Sequence, residues 1–218
     1  MISNIDHIVI AAPSLESGEA FVQQALGVAL QAGGSHQRMG THNLLLRLGD
    51  KTYLEVISPD PSAPAPDRPR WFGLDNLPAH GAPRLLTWVA WTSDIRAAAA
   101  AASEDLGPIE AMNRGAFRWQ ITIPGDGAPV LGGAVPALIQ WETGGHPAAG
   151  LEDRGLSLES LTIFHSDPLR VTKLVESIVI EGPLAVSALS GERGPYLEAR
   201  IHTAKGLRVL STPDRGSF

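Results

Sequence analysis

The feature that most constrains this chain is a pattern it states twice at a constant offset of 80 positions. The apolar run Ile5-Asp6-His7-Ile8-Val9-Ile10-Ala11 leads through a turn into an amphipathic segment ending at Leu26-Gly27. Leu86-Thr87-Trp88-Val89-Ala90-Trp91-Thr92 leads into a similar segment ending at Leu106-Gly107. Agreement at several separate points marks an internal repeat, so the chain must fold as two related units. A third run, Ser160-Leu161-Thr162-Ile163-Phe164, precedes another helix-like stretch, and the interval from His7 to Glu55 equals that from Ser160 to Arg208.

Residues 5–11 read as a strand apolar on both faces except at His7. Ser14 or Ser17 caps the helix that follows, Phe21, Val22, Ala25 and Leu26 form its buried stripe, and Gly27 stops it. Gly33 to Thr41 reads as a loop. His42–Leu48 and Tyr53–Ser58 read as strands joined by a hairpin turn at Gly49-Asp50. Pro59 to Pro69 is too rich in proline for regular structure, and Trp71-Phe72 should anchor it. The second unit repeats the order: strand Thr87–Trp91, a cap at Ser93 or Asp94, an alanine-rich helix over Ile95–Leu106, and strands Phe117–Ile123 and Ala137–Glu142. The expected fold is therefore α+β, with tandem βαβββ units forming a curved mixed sheet around a cleft. The units span 1–60 and 83–148, with a linker over 61–82 and a third, partial unit over 156–218. The third unit is expected to cover a sheet edge or build a homodimer interface.

Composition bounds the function. A net charge of −6 with no basic cluster argues against nucleic acid as partner. The absence of cysteine removes disulfides, thiolate metal sites and thiol nucleophiles. No apolar run reaches the roughly 20 residues of a membrane span, and no basic leader precedes the first strand. These point to a cytoplasmic protein acting on a small molecule. No phosphate loop and no Gly-x-Ser-x-Gly elbow is present.

The repeat sets His7 and Glu55 of the first unit over Thr87 and Glu142 of the second. Carboxylates in apolar strands are costly unless they are paired or bind a metal. One imidazole and two carboxylates around an open position suit a divalent ion such as Zn, Mn, Fe, Ni or Co, which would polarise a substrate oxygen. Glu142 is also the candidate catalytic base. His36, Arg38, His42 and Asn43, in and after a glycine-bounded segment, are candidates for binding a polar or anionic substrate, with His36 or His42 able to exchange protons near neutral pH. Arg118 could pair with Glu142 or with a substrate carboxylate, or lie on an exposed strand face.

Several stretches carry a family resemblance: the opening Ile5-Asp6-His7-Ile8-Val9, the closing Tyr53-Leu54-Glu55-Val56, Gly33-Gly34-Ser35-His36 before Gly40-Thr41-His42-Asn43, and Leu138-Ile139-Gln140-Trp141 before His146-Pro147. Residues 5 to about 147 resemble glyoxalase-like domain proteins of the glyoxalase, bleomycin resistance and extradiol dioxygenase (vicinal oxygen chelate) superfamily. The resemblance implies paired βαβββ units around a metal held by first and last strands, hence by His7, Glu55 and Glu142. It implies lyase or isomerase chemistry on a carbonyl-containing substrate. Thr87 departs from the pattern, because a ligand stands there in metal-dependent members. The alternative is a metal-free protein of the same fold that sequesters a small molecule.

Overall fold

The computed structural model describes residues 2–142, 145–190 and 193–211. In the first unit, strand β1 (Ser3–Ala11) is followed by helix α1 (Leu15–Leu26), then β2 (Gln31–His36), β3 (Thr41–Arg47) and β4 (Tyr53–Pro59). In the second, β5 (Arg84–Thr92) precedes α2 (Ile95–Ala101), β6 (Ile109–Arg114), β7 (Phe117–Thr122) and β8 (Ala137–Trp141). The third runs β9 (Ser157–His165), α3 (Pro168–Ser177), β10 (Ile180–Glu181), β11 (Leu184–Ala188), β12 (Tyr196–Thr203) and β13 (Gly206–Ser211).

Local chemistry explains the helix ends. Ser14 accepts from the Ser17 amide at the start of α1, and Gly27 ends it in the left-handed region at φ 76°. Asp94 and Asp167 cap α2 and α3 in the same way. Helix α2 is shorter than the alanine run suggested. Only Ile95 and Ala98 are fully buried on it, and after Ala102 the polar run Ser103-Glu104-Asp105 offers no apolar side chain to hold a further turn against the sheet.

The first two units make one sheet in the order β2-β3-β4-β1-β5-β8-β7-β6. Each unit is built alike: its first strand runs parallel to its last, and the other pairs are antiparallel. The units join through antiparallel β1 and β5, where Ile8 pairs with Trp88. Those residues are 80 apart, so an approximate two-fold passes through them and the offset read from the sequence is the structural one. The sheet curls until its outer strands nearly meet: Arg38 Nη1 donates to the Ala111 carbonyl at 3.2 Å and its guanidinium pairs with Glu110.

One apolar cluster lies on the convex face. It joins Ile8, Ile10, Val22, Leu26 and Trp88 to Leu161, Ile163, Leu174 and Leu197 of the third unit. The third unit thus packs against the outside of the sheet in its own chain, rather than only along an edge. Its four-stranded sheet has the order β11-β9-β12-β13, with β10 pairing to β1. The element order recurs, but the pairing does not: Ser160 lies opposite Arg200, and Arg208 opposite Ile201. A second cluster, with Val9, Ile57, Val89, Trp119 and Ile139, fills the concave side around the site. No helix of the described residues is long and apolar enough to cross a membrane.

Candidate functional site

The site begins with an irregularity in β1. Ile5 pairs with Ala90 and His7 with Val89, so Asp6 is an extra residue opposite β5. Such a bulge breaks the alternation of faces, and it turns Asp6 and His7 together toward the concave side. Asp6 is fully buried. Its Oδ1 lies 2.6 Å from His7 Nδ1, and its Oδ2 accepts from Trp141 Nε1 at 2.8 Å and lies 3.0 Å from His146 Nε2. His146 Nδ1 accepts the Ala148 amide, so Nε2 is the donor to Asp6. His7 stacks on Tyr53 with centroids 4.5 Å apart. One strand alternation beyond Tyr53, Glu55 brings Oε2 to 3.5 Å from His7 Nε2.

Glu55 Oε1 accepts from Asn43 Nδ2 at 2.5 Å, and Asn43 Oδ1 accepts the Gly34 amide. A side chain at residue 33 would put its Cβ 2.1 Å from Asn43 Oδ1, so Gly33 is what lets the amide of Asn43 sit across β2. Gly33-Gly34-Ser35-His36, expected as loop, is therefore strand: its glycines make room for a site residue.

These bonds outweigh burial. Burial alone would raise the carboxyl groups, but His146 and His7 bring Asp6 down to about 2, and His7 above all brings Glu55 to about 2. Burial would lower His7, yet its bonds to Asp6 and Glu55 raise it to about 9. At neutral pH the row reads carboxylate, imidazolium, carboxylate. His36 is the opposite case. Burial drives it down to about 4, with Arg114 adding to the effect. Its neutral ring lies with Nε2 3.3 Å from Arg114 Nη1 and Nδ1 3.2 Å from Thr41 Oγ1.

His7, Glu55, His36 and Arg114 border a cavity of about 20 Å³, walled by Trp71 and Trp119. That is room for about one water. The Nε1 groups of both tryptophans are buried with no hydrogen-bond partner among the described residues. His36 and Arg114 also border an outer pocket of about 280 Å³ between Arg38 and Asn113, so they stand at the mouth.

The structure brings together His7, Glu55, Asn43 and His36 of the residues expected in a site. Arg38 sits at the mouth, half-exposed and engaged with Glu110. His42 does not join them. It alternates with Thr41 and Asn43 on β3, so it faces the helix side, where it influences Glu16 of α1. Arg118 is exposed. Glu142 is exposed and accepts from Gln120, and Gln120 alternates with the cavity residues Trp119 and Ile121 on β7. Glu142 thus lies on the wrong face for either a ligand or a base.

The pairing explains the error. Val9 pairs with Glu55 and Val89 with Ala137, so the counterpart of Glu55 is Ala137. The counterpart of His7, Thr87, donates to the Gly133 carbonyl. The predicted His7–Glu55–Glu142 ligand set does not assemble, and among the described residues no group of three or more His, Cys, Asp or Glu is placed to hold a metal ion. Two donors that already pair with each other fall short of the three protein ligands that hold zinc in an open catalytic site.

Asp6, Tyr53, Arg114, Trp141 and His146 were not legible as site residues. Simple alternation along β1 puts Asp6 on the face opposite His7, and His146 also caps the turn Pro147–Gly150. The Asp6-His7 dipeptide was the available signal, but only the bulge makes the two neighbours.

A family profile described as a glyoxalase-like domain matches residues 5–179. A hypothetical protein from Staphylococcus aureus superposes with a TM-score of 0.55 at 14% identity, over 99% of this chain and 87% of that one. A methylmalonyl-CoA epimerase from Streptomyces coelicolor, solved with 2-nitronate-propionyl-CoA, gives 0.43 at 20% identity, over 64% of this chain and 97% of that one. The epimerase from Mycobacterium tuberculosis gives 0.39 at 17%, over 63% and 85%. At 14% identity the first likeness is one of fold alone. A search of the curated proteins finds no match.

Proposed function

The chain belongs to the glyoxalase-like domain family, and from that premise and the site's geometry we propose that it is an acid–base enzyme for a small carbonyl compound bearing an anionic group. The observation that carries the reading is a convergence of side chains on one small cavity: the His7–Glu55 pair and the rings of Trp71 and Trp119, whose buried N–H groups lack an acceptor among the described residues. Unpaired buried donors call for an acceptor, and a carbonyl oxygen supplies one. The charged row itself argues for chemistry, since buried ion pairs contribute little net stability.

In this reading Arg114, at the mouth, holds the anionic group. The carbonyl oxygen enters between His7 and Glu55 and accepts from His7 Nε2 and an indole N–H. The C–H bond alpha to the carbonyl breaks, its proton passes to Glu55, and its electrons move into the carbonyl as charge on the oxygen. His7 stabilises that charge. Separating the two side chains removes the contact that depresses Glu55, so it becomes a better base when substrate is bound. Return of the proton to the same carbon restores the substrate with its alpha hydrogen exchanged. Where that carbon bears a hydroxyl, the intermediate is an enediolate, and delivery of the proton to the former carbonyl carbon with loss of the hydroxyl proton gives an isomerised product. Asp6 fixes the orientation of the His7 ring.

The test is exchange of the alpha proton of small oxo acids in deuterated water, followed by NMR. Glu55→Gln should slow exchange by roughly 100-fold or more, whereas Glu142→Gln should not change it. Exchange that persists at the wild-type rate in Glu55→Gln would overturn the reading. Capture without turnover is the second reading, and the apolar wall of Trp71, Trp119, Ile121 and Ile139 favours it. It predicts saturable binding of the same compounds with no exchange.

A further inference from the structure

The central cavity is not the largest one. A pocket of about 520 Å³ lies where the third unit meets the sheet, bordered by Trp91, Trp141, Leu158, Lys51, Glu181 and His146 among others. That volume lies within the usual range of small-molecule sites, and the 20 Å³ cavity lies far below it. All three units contribute walls: Asn4, Ile5 and the β3–β4 turn from the first, the ends of β5 and β8 from the second, and Leu158 with the β10–β11 turn from the third. The pocket is therefore a feature of the whole chain and not of the repeat.

We infer that this pocket is a binding site for an aromatic zwitterion, an aromatic amino acid or a close derivative. Two indole rings and the aliphatic side chains of Ile5 and Leu158 offer a surface on which a flat apolar ring packs well. The polar groups at the rim are of opposite sign. Lys51 and Glu181 are both exposed, and neither makes an ion pair among the described residues. A carboxylate on Lys51 and an ammonium on Glu181 would complete both while the ring fills the apolar floor. The occupant would also touch Trp141 and His146, which hold Asp6 and so orient His7. The site stands independently of the acid–base reading, because it needs only the pocket and its rim.

Calorimetric titration of the full chain with L-phenylalanine, L-phenylalanine amide and 3-phenylpropionate tests it. L-Phenylalanine should bind saturably, and norleucine at least tenfold more weakly. Lys51→Glu should weaken L-phenylalanine and 3-phenylpropionate by tenfold or more and leave the amide little changed. Glu181→Lys should weaken L-phenylalanine and the amide and spare 3-phenylpropionate. Both positions are exposed, so neither change threatens folding. Leu158→Trp, which fills the pocket, should abolish binding of all three, and Arg114→Ala, at the mouth of the other cavity, should leave it intact. No saturable binding, binding that survives both charge reversals, or binding lost in Arg114→Ala would each overturn the assignment.

Discussion

The two halves of the cleft share a backbone and part of an apolar frame, Val9 with Val89 and Ile57 with Ile139, and differ in their polar residues. Asp6 bulges from β1 between Ile5 and His7, and at the same step of β5 Leu86 bulges between Leu85 and Thr87. Position by position, the first half carries Asp6, His7, Asn43 and Glu55. The second half carries Leu86, Thr87, Ile121 and Ala137 in their places. Where the first half leaves a cavity beside His7, the Val130–Gly133 turn closes over Thr87 in the second. A Cβ at Gly133 would stand 1.9 Å from the Leu86 carbonyl oxygen, so only glycine allows that closure. The repeat preserves geometry, down to a bulge. It does not preserve the side chains: one half is charged and the other apolar.

The largest test of that contrast is stability. Asp6→Leu strands His7, Trp141 Nε1 and His146 Nε2 without their acceptor. Breaking a buried ionic set of this kind should cost about 3–5 kcal/mol in urea unfolding. Thr87→Val, at the counterpart of His7, loses one hydrogen bond and should cost about 1 kcal/mol. Equal costs would mean that the two halves are energetically alike.

A smaller effect follows from the two buried histidines. His7 is raised to about 9, so its contribution is fully present below its unfolded value near 6.5 and is lost as pH rises through 9. His36 is lowered to about 4, so the unfolded chain takes up its proton first and stability falls as pH drops from 6.5 through 4. Asp6 and Glu55 add a further loss as pH falls toward 2. Stability should peak near pH 6.5. His7→Gln should flatten the alkaline limb and His36→Gln the limb between 4 and 6.5, both read from urea midpoints across pH. A pH profile unchanged in His7→Gln would remove the imidazolium from the row.

The smallest effects should come from the outer face. Glu142→Gln and Arg118→Ala alter exposed groups away from the cavity and should stay within about 0.5 kcal/mol of wild type. A large loss of activity in either would return them to the site.

The sequence by itself determined most strands of the first two units, a two-way choice for each helix cap (Ser14 or Ser17, Ser93 or Asp94), the repeat with its offset of 80, and His7 and Glu55 as residues needing a partner. These follow from short-range physics: apolar periodicity, capping, and the cost of burying charge. Only the tertiary structure decided who the partners are. The bulge at Asp6 changes which side of β1 a side chain faces, and one extra residue inverts every inference from alternation. The pairing of Val89 with Ala137 decided that Glu142 lies outside, because strand register is set by contacts between distant segments and not by spacing along one chain. Gly33-Gly34 looked like a loop because glycine disfavours strands, and it became β2 because Asn43 needs the space a side chain would fill. Packing of the third unit on the sheet likewise created the 520 Å³ pocket, whose walls come from segments that no local pattern connects.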